Sequence, residues 1–86
     1  MREYTLPEWV ALSEGVLLDS REGVMYELNE EAEAVLSTID GSWRTVREIM
    51  NELRSDWEFG DEEAAEREIS EFLESLVEEG LVVARG

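Results

Sequence analysis

Two runs of carboxylates, Glu30-Glu31-Glu33 and Asp61-Glu62-Glu63, are of the residue type that binds metals or performs general acid and base work. Neither has the D-x-[DN]-x-[DN]-G spacing of a calcium loop, and both fall at predicted helix starts, where the helix dipole favours negative charge. Solvated helix termini account for them. The chain has no Cys and no His, which removes disulfides, thiolate and imidazole metal sites, Cys nucleophiles and Ser-His machinery. Carboxylate-only catalysis needs two acids held across a cleft, and acids spread over every predicted helix single out no pair. No catalytic residue, no metal ligand and no cofactor is assigned, and the chain is read as a non-enzyme.

Length and charge narrow the remaining classes. At 86 residues the chain is read as one domain, 1–86, with a single modest core and no second lobe to close over a substrate. Its 23 Asp and Glu against 7 basic residues, all Arg, give a formal net charge of -16, which repels nucleic-acid phosphate and anionic lipid. Neither nucleic acid nor membrane is therefore expected as a partner. With 43% hydrophobic and 35% charged residues, the composition supports a folded domain rather than an acidic disordered tail. The stretch Met1 to Pro7 has no apolar h-region, and no run is long enough to span a bilayer, so a cytoplasmic location is expected.

The elements follow from the apolar period. Trp9 to Leu12, Val16 to Leu18 and Val24 to Leu28 alternate with turn signals at Ser13-Glu14-Gly15 and Asp19 to Gly23, which predicts a three-stranded antiparallel meander. After Leu28 the period changes to about 3.6. Asn29 caps a helix carrying Ala32, Val35, Leu36 and Ile39 and stopped by Gly41. A capping box, Thr45 with Glu48, opens a second helix ending near Ser55-Asp56. Asp61 caps a long third helix with Ala65, Ile69, Phe72, Leu73, Leu76 and Val77, ending at Gly80, and Leu81 to Ala84 reads as a short strand or docked tail. The predicted fold class is α+β, a small winged helix-turn-helix with an N-terminal three-stranded antiparallel sheet followed by three helices.

A winged helix suggests DNA first. The third helix should then present cations to phosphate, yet from Asp61 to Glu79 it has nine acids and one base, Arg67. The sheet points elsewhere. Most aromatics are read as core, with Trp43 and Trp57 packing the ends of the second helix and Trp9 filling the sheet-helix interface. Val24-Met25-Tyr26-Glu27-Leu28, however, would be an edge strand with one charge, no Pro and no Lys, so little guards it against pairing with another chain. An open edge beside a broad apolar helix stripe makes a groove for β-augmentation by a peptide.

The run Tyr26-Glu27-Leu28-Asn29-Glu30 into Ala32 to Asp40-Gly41, then Trp43 to Ile49, then Phe72-Leu73 to Leu76 with Gly80-Leu81-Val82, resembles the PqqD-like family, the recognition elements that bind leader peptides of ribosomally made, modified peptides. The resemblance spans nearly the whole chain and rests on spacing, since no single motif is catalytic. It implies a non-catalytic bacterial domain that pairs a leader peptide with its third strand, here Val24, Met25, Tyr26, Glu27 and Leu28. Leader side chains would lodge against the third helix, with Ile69, Phe72, Leu73 and Leu76 as pocket candidates, some of them serving the core instead. A free-standing domain of this size resembles those of lasso peptide pathways, whose leaders carry a Tyr-x-x-Pro-x-Leu pattern. The implied partners are the precursor leader peptide and the leader peptidase and cyclase of the same pathway. The alternatives are a PqqD-type peptide chaperone in pyrroloquinoline quinone biosynthesis and an acidic winged-helix protein-interaction module.

Overall fold

Four strands precede three helices and a fifth strand closes the chain: β1 (Glu3–Thr5), β2 (Val10–Ser13), β3 (Val16–Asp19), β4 (Val24–Glu27), α1 (Glu30–Thr38), α2 (Val46–Leu53), α3 (Glu62–Glu78) and β5 (Val83–Arg85). The computed structural model describes every residue from Met1 to Gly86. The fold is α+β, with a three-stranded antiparallel sheet in the order β2-β3-β4 and three helices, as expected. Strands are not confined to the first third, however. The tail after Gly80 forms β5, which pairs with β1 in a separate two-stranded antiparallel sheet, Glu3 opposite Arg85 and Thr5 opposite Val83.

Each local signal has a physical counterpart. Glu14 and Gly15 both hold positive φ, 48° and 77°, as the two-residue turn that suits the right-handed twist of flanking strands requires, and Ser13 pairs with Val16 across it. The Asn29 side chain accepts from the Ala32 N–H at 2.8 Å and that of Asp61 from the Ala64 N–H at 3.2 Å, each satisfying an orphan donor of a helix start. Both arms of the capping box are made: the Glu48 N–H donates to Thr45 Oγ1 at 3.2 Å, and the Thr45 N–H donates to Glu48 Oε1 at 2.8 Å. That second bond holds the Glu48 carboxyl below its ordinary value.

The elements meet around a core that includes Tyr4, Leu17, Leu36, Ile39, Ile49, Leu73 and Leu81, all essentially without exposed surface. Several boundaries differ from expectation by one or two residues: β2 and β3 take in Ser13 and Asp19, and the tail strand is Val83–Arg85. Trp9 precedes β2, Leu28 lies just beyond β4, and α2 ends at Leu53.

Candidate functional site

β4 is an edge strand, hydrogen-bonded only to β3, and the register gives each residue a side. Leu17 lies opposite Tyr26 and Leu18 opposite Met25. Beyond the end of the strand, the Leu28 N–H donates to the Gly15 carbonyl at 2.8 Å. Backbone groups alternate along a strand, so those of Tyr26 and Val24 also point at β3, and those of Met25 and Glu27 point to the open side. Loops and caps make no backbone hydrogen bond to either residue. Side chains alternate as well: Tyr26 is half-buried against the core, whereas Met25 is 67% exposed.

A recess lies beyond the strand, and none of Val24 to Leu28 lines it. Asn29, at the mouth of α1, joins Ala32 and Val35 of α1 and Ile69 and Phe72 of α3 around a recess of about 220 Å³. Of the four α3 candidates, Ile69 and Phe72 therefore line a cavity. Leu76 is half-buried against the core. Leu73 is one that serves the core: it has 0% exposure, because α3 turns that side of its stripe inward. The remaining candidates, Val24 and Leu28, sit at the two ends of the edge, Val24 exposed and Leu28 half-buried.

A clasp that the sequence did not reveal ties the β3–β4 loop to the end of α3. The buried Asp19 carboxylate accepts from the Arg21 N–H at 2.9 Å and lies 3.6 Å from the Arg21 guanidinium. The same guanidinium sits 4.4 Å from the centre of the Trp9 ring and donates to the Gly80 carbonyl at 3.1 Å. That carbonyl accepts a second bond, 3.0 Å from the Trp9 indole N–H. Trp9 thus fastens the sheet to the end of α3 through its polar edge as well as through packing. Trp43 is half-buried with the Arg85 guanidinium 4.1 Å from its ring centre.

On the far side of α3, Glu74 accepts from Arg2 and, at 2.6 Å, from the Tyr4 hydroxyl. The bonds from Arg2 and then Tyr4 hold the Glu74 carboxyl below the usual carboxylate range. Burial chiefly, and the bond to Glu74, push the Tyr4 phenol up. The arrangement is structural: it fixes β1 to α3.

No group of three or more acidic side chains converges as a metal centre would require, and no helix is long and apolar enough to cross a membrane. Sequence reasoning did not place Trp57 and Phe59 in a groove. Two aromatic residues two apart in a linker were the available signal. The family model described as Coenzyme PQQ synthesis protein D (PqqD) matches residues 14–82. No curated protein and no solved structure matches the chain.

Proposed function

The chain belongs to the PqqD family, and on that footing we propose that it is a non-catalytic recognition protein for the leader of a ribosomally made precursor peptide. The leader adds as a strand to the open side of β4, where the backbone groups of Met25 and Glu27 supply main-chain hydrogen bonds. Leader side chains on the inner face enter the recess between α1 and α3 lined by Ile69 and Phe72. The unpaired edge of β4 carries the reading, because an edge strand with two free N–H and C=O pairs and no guarding charge between Val24 and Tyr26 is a template for an added strand.

In this reading residues 1–86 act as one winged helix-turn-helix domain that reads peptide rather than DNA. Exposed Glu63, Glu68, Glu71 and Glu78 on α3 oppose approach to phosphate. The domain presents the leader in the cytoplasm to a leader peptidase and a cyclase, as in lasso peptide biosynthesis, and needs no cofactor. A second reading, delivery of a precursor in pyrroloquinoline quinone biosynthesis, is favoured by the description of the matching family.

Fluorescence polarisation of the whole protein with labelled leaders from both kinds of precursor tests both readings. A dissociation constant in the micromolar range or below, about -8 kcal/mol or better, is expected for a lasso leader. Tighter binding of the quinone precursor would transfer the assignment to the second reading. Absence of binding to either, or turnover of a bound peptide by the pure protein, would overturn the proposal.

A further inference from the structure

The Ile69 and Phe72 recess is not isolated. A second recess of about 200 Å³ adjoins it and reaches the linker between α2 and α3, and the two share Glu31, Val35, Glu68 and Ile69. Val35, Leu53 and Ile69 give the second recess an apolar lining, and Trp57 and Phe59 add two half-buried rings. Three exposed carboxylates complete it, Glu31, Glu58 and Glu68. No arginine lines either recess. Six of the seven arginines are engaged with other acids, Glu74, Asp19, Glu52, Glu66, Glu62 and Glu3, so these three have no ion-pair partner within the chain.

The geometry points to this second recess as a subsite for a lysine or arginine side chain of the bound peptide, an inference that rests on the peptide-binding reading above. A long cationic side chain matches both parts of the lining: its aliphatic stem covers Val35, Leu53 and Ile69 while its head stays near solvent and the carboxylates. Aromatic rings attract the same cation. A neutral apolar side chain would partly dehydrate three carboxylates and offer them nothing, and an acidic one would be repelled.

The spacing follows as well. The α3 lining moves from Phe72 and Ile69 in the first recess to Ile69 and Ala65 in the second, a shift of about one turn or roughly 5 Å. Side chains two residues apart on an extended peptide lie on one side at about 6.6 Å. The recognised pattern is therefore an apolar residue with a lysine or arginine two positions away.

The probe is acetyl-Lys-Thr-Leu-Thr-Lys-amide, which places a cation two residues from leucine in either chain direction. It is titrated into the whole protein while amide and indole N–H signals are followed by NMR. Saturable shifts of the Trp57 indole and the Ile69 amide are expected, with the Trp9 indole, held by the Gly80 carbonyl, as the internal reference. Acetylating both lysine side chains keeps the stems, removes the charge and should weaken binding about fivefold or more. Glu31→Gln with Glu68→Gln, both exposed, should lose as much without affecting the fold. Equal affinity for the acetylated peptide, no loss in the double variant, or a Trp57 indole that does not move would each overturn the subsite. The amides of Met25 and Glu27 report on strand addition separately. If they ignore a full leader while Trp57 responds to the pentapeptide, strand addition fails and the subsite stands; the opposite result removes the subsite alone.

Discussion

Leu17 and Tyr26 stand directly opposite one another across β3 and β4, and their backbone groups face each other, whereas those of Met25, the residue before Tyr26, face away from the sheet. One position separates a residue that holds the sheet from one that is free to hold something else.

Proline distinguishes the two positions. Tyr26→Pro removes a donor from the ladder and should destabilise the domain by about 1 to 3 kcal/mol. Met25→Pro removes a donor that has no partner in the domain, so the fold should persist with leader affinity reduced about tenfold. Thermal melts and leader titrations of both variants measure this, and full affinity in folded Met25→Pro would refute strand addition at β4.

Adjacent positions on α3 should separate in the same manner. Leu73→Ala empties a fully buried site and should cost about 2 to 5 kcal/mol of stability. Phe72→Ala truncates a recess-lining ring and should weaken leader binding by about 1 to 3 kcal/mol with a smaller loss of stability. Denaturant unfolding beside peptide affinity reads both quantities. Unchanged affinity in folded Phe72→Ala and Ile69→Ala together would remove the first recess from the site.

Gly80 and Arg21 should be energetically coupled. Gly80 holds φ +78°, and a methyl group there would meet the Arg21 guanidinium at 2.7 Å, so Gly80→Ala should cost about 1 to 2 kcal/mol from backbone strain and also break the clasp. Arg21→Ala breaks the same clasp. The double variant should therefore be less destabilised than the sum of the two single ones, as a double-mutant cycle of melts can measure. Strict additivity would mean that the clasp contributes nothing.

The acid limb of the stability profile should carry the mark of Glu74. Its carboxyl titrates below the ordinary 4.5 in the folded protein, so its contribution is present above about 4.5 and is lost as pH falls through the lower folded value. A Glu74→Gln variant should thus be less stable than the parent at neutral pH, and the gap should close in acid. Tyr4 works at the other limb. Its phenol is raised above 10.0, so stability is present below that pH and lost as pH climbs beyond it, and Tyr4→Phe should flatten that decline. Melts across pH read both, and a Glu74→Gln gap independent of pH would contradict the assignment.

Much of the fold was legible because its signals are local. Asn29, the Thr45–Glu48 box, Asp61 and the Glu14-Gly15 turn all act within four residues of themselves, and all are made. β1 was not legible: three residues, Glu-Tyr-Thr, are too few to show alternation, and their partner lies at the other end of the chain. The edge strand could be read from its composition, but which of Met25 and Tyr26 faces outward depends on the Gly15–Leu28 bond and hence on turn geometry. Apolar period alone could not sort Phe72 from Leu73, since both fall on the helix stripe and only the packing of the other elements decides which is covered. The groove likewise needs Val35 and Ile69 brought together from two helices.

The pairing of β1 with β5 also bears on the order in which the molecule assembles. Glu3 meets Arg85 across 82 positions, whereas the β2–β3 turn joins neighbours in sequence. Loop-closure entropy grows with the length of chain enclosed, so the hairpins and capped helices can form from short-range encounters, and the pairing of the chain ends is expected to come late, as amide-exchange labelling during refolding would show. The late step completes the core, because it brings in Tyr4 from one end and Leu81 and Val82 from the other. Until then the β2-β3-β4 sheet lacks the packing that these three residues complete.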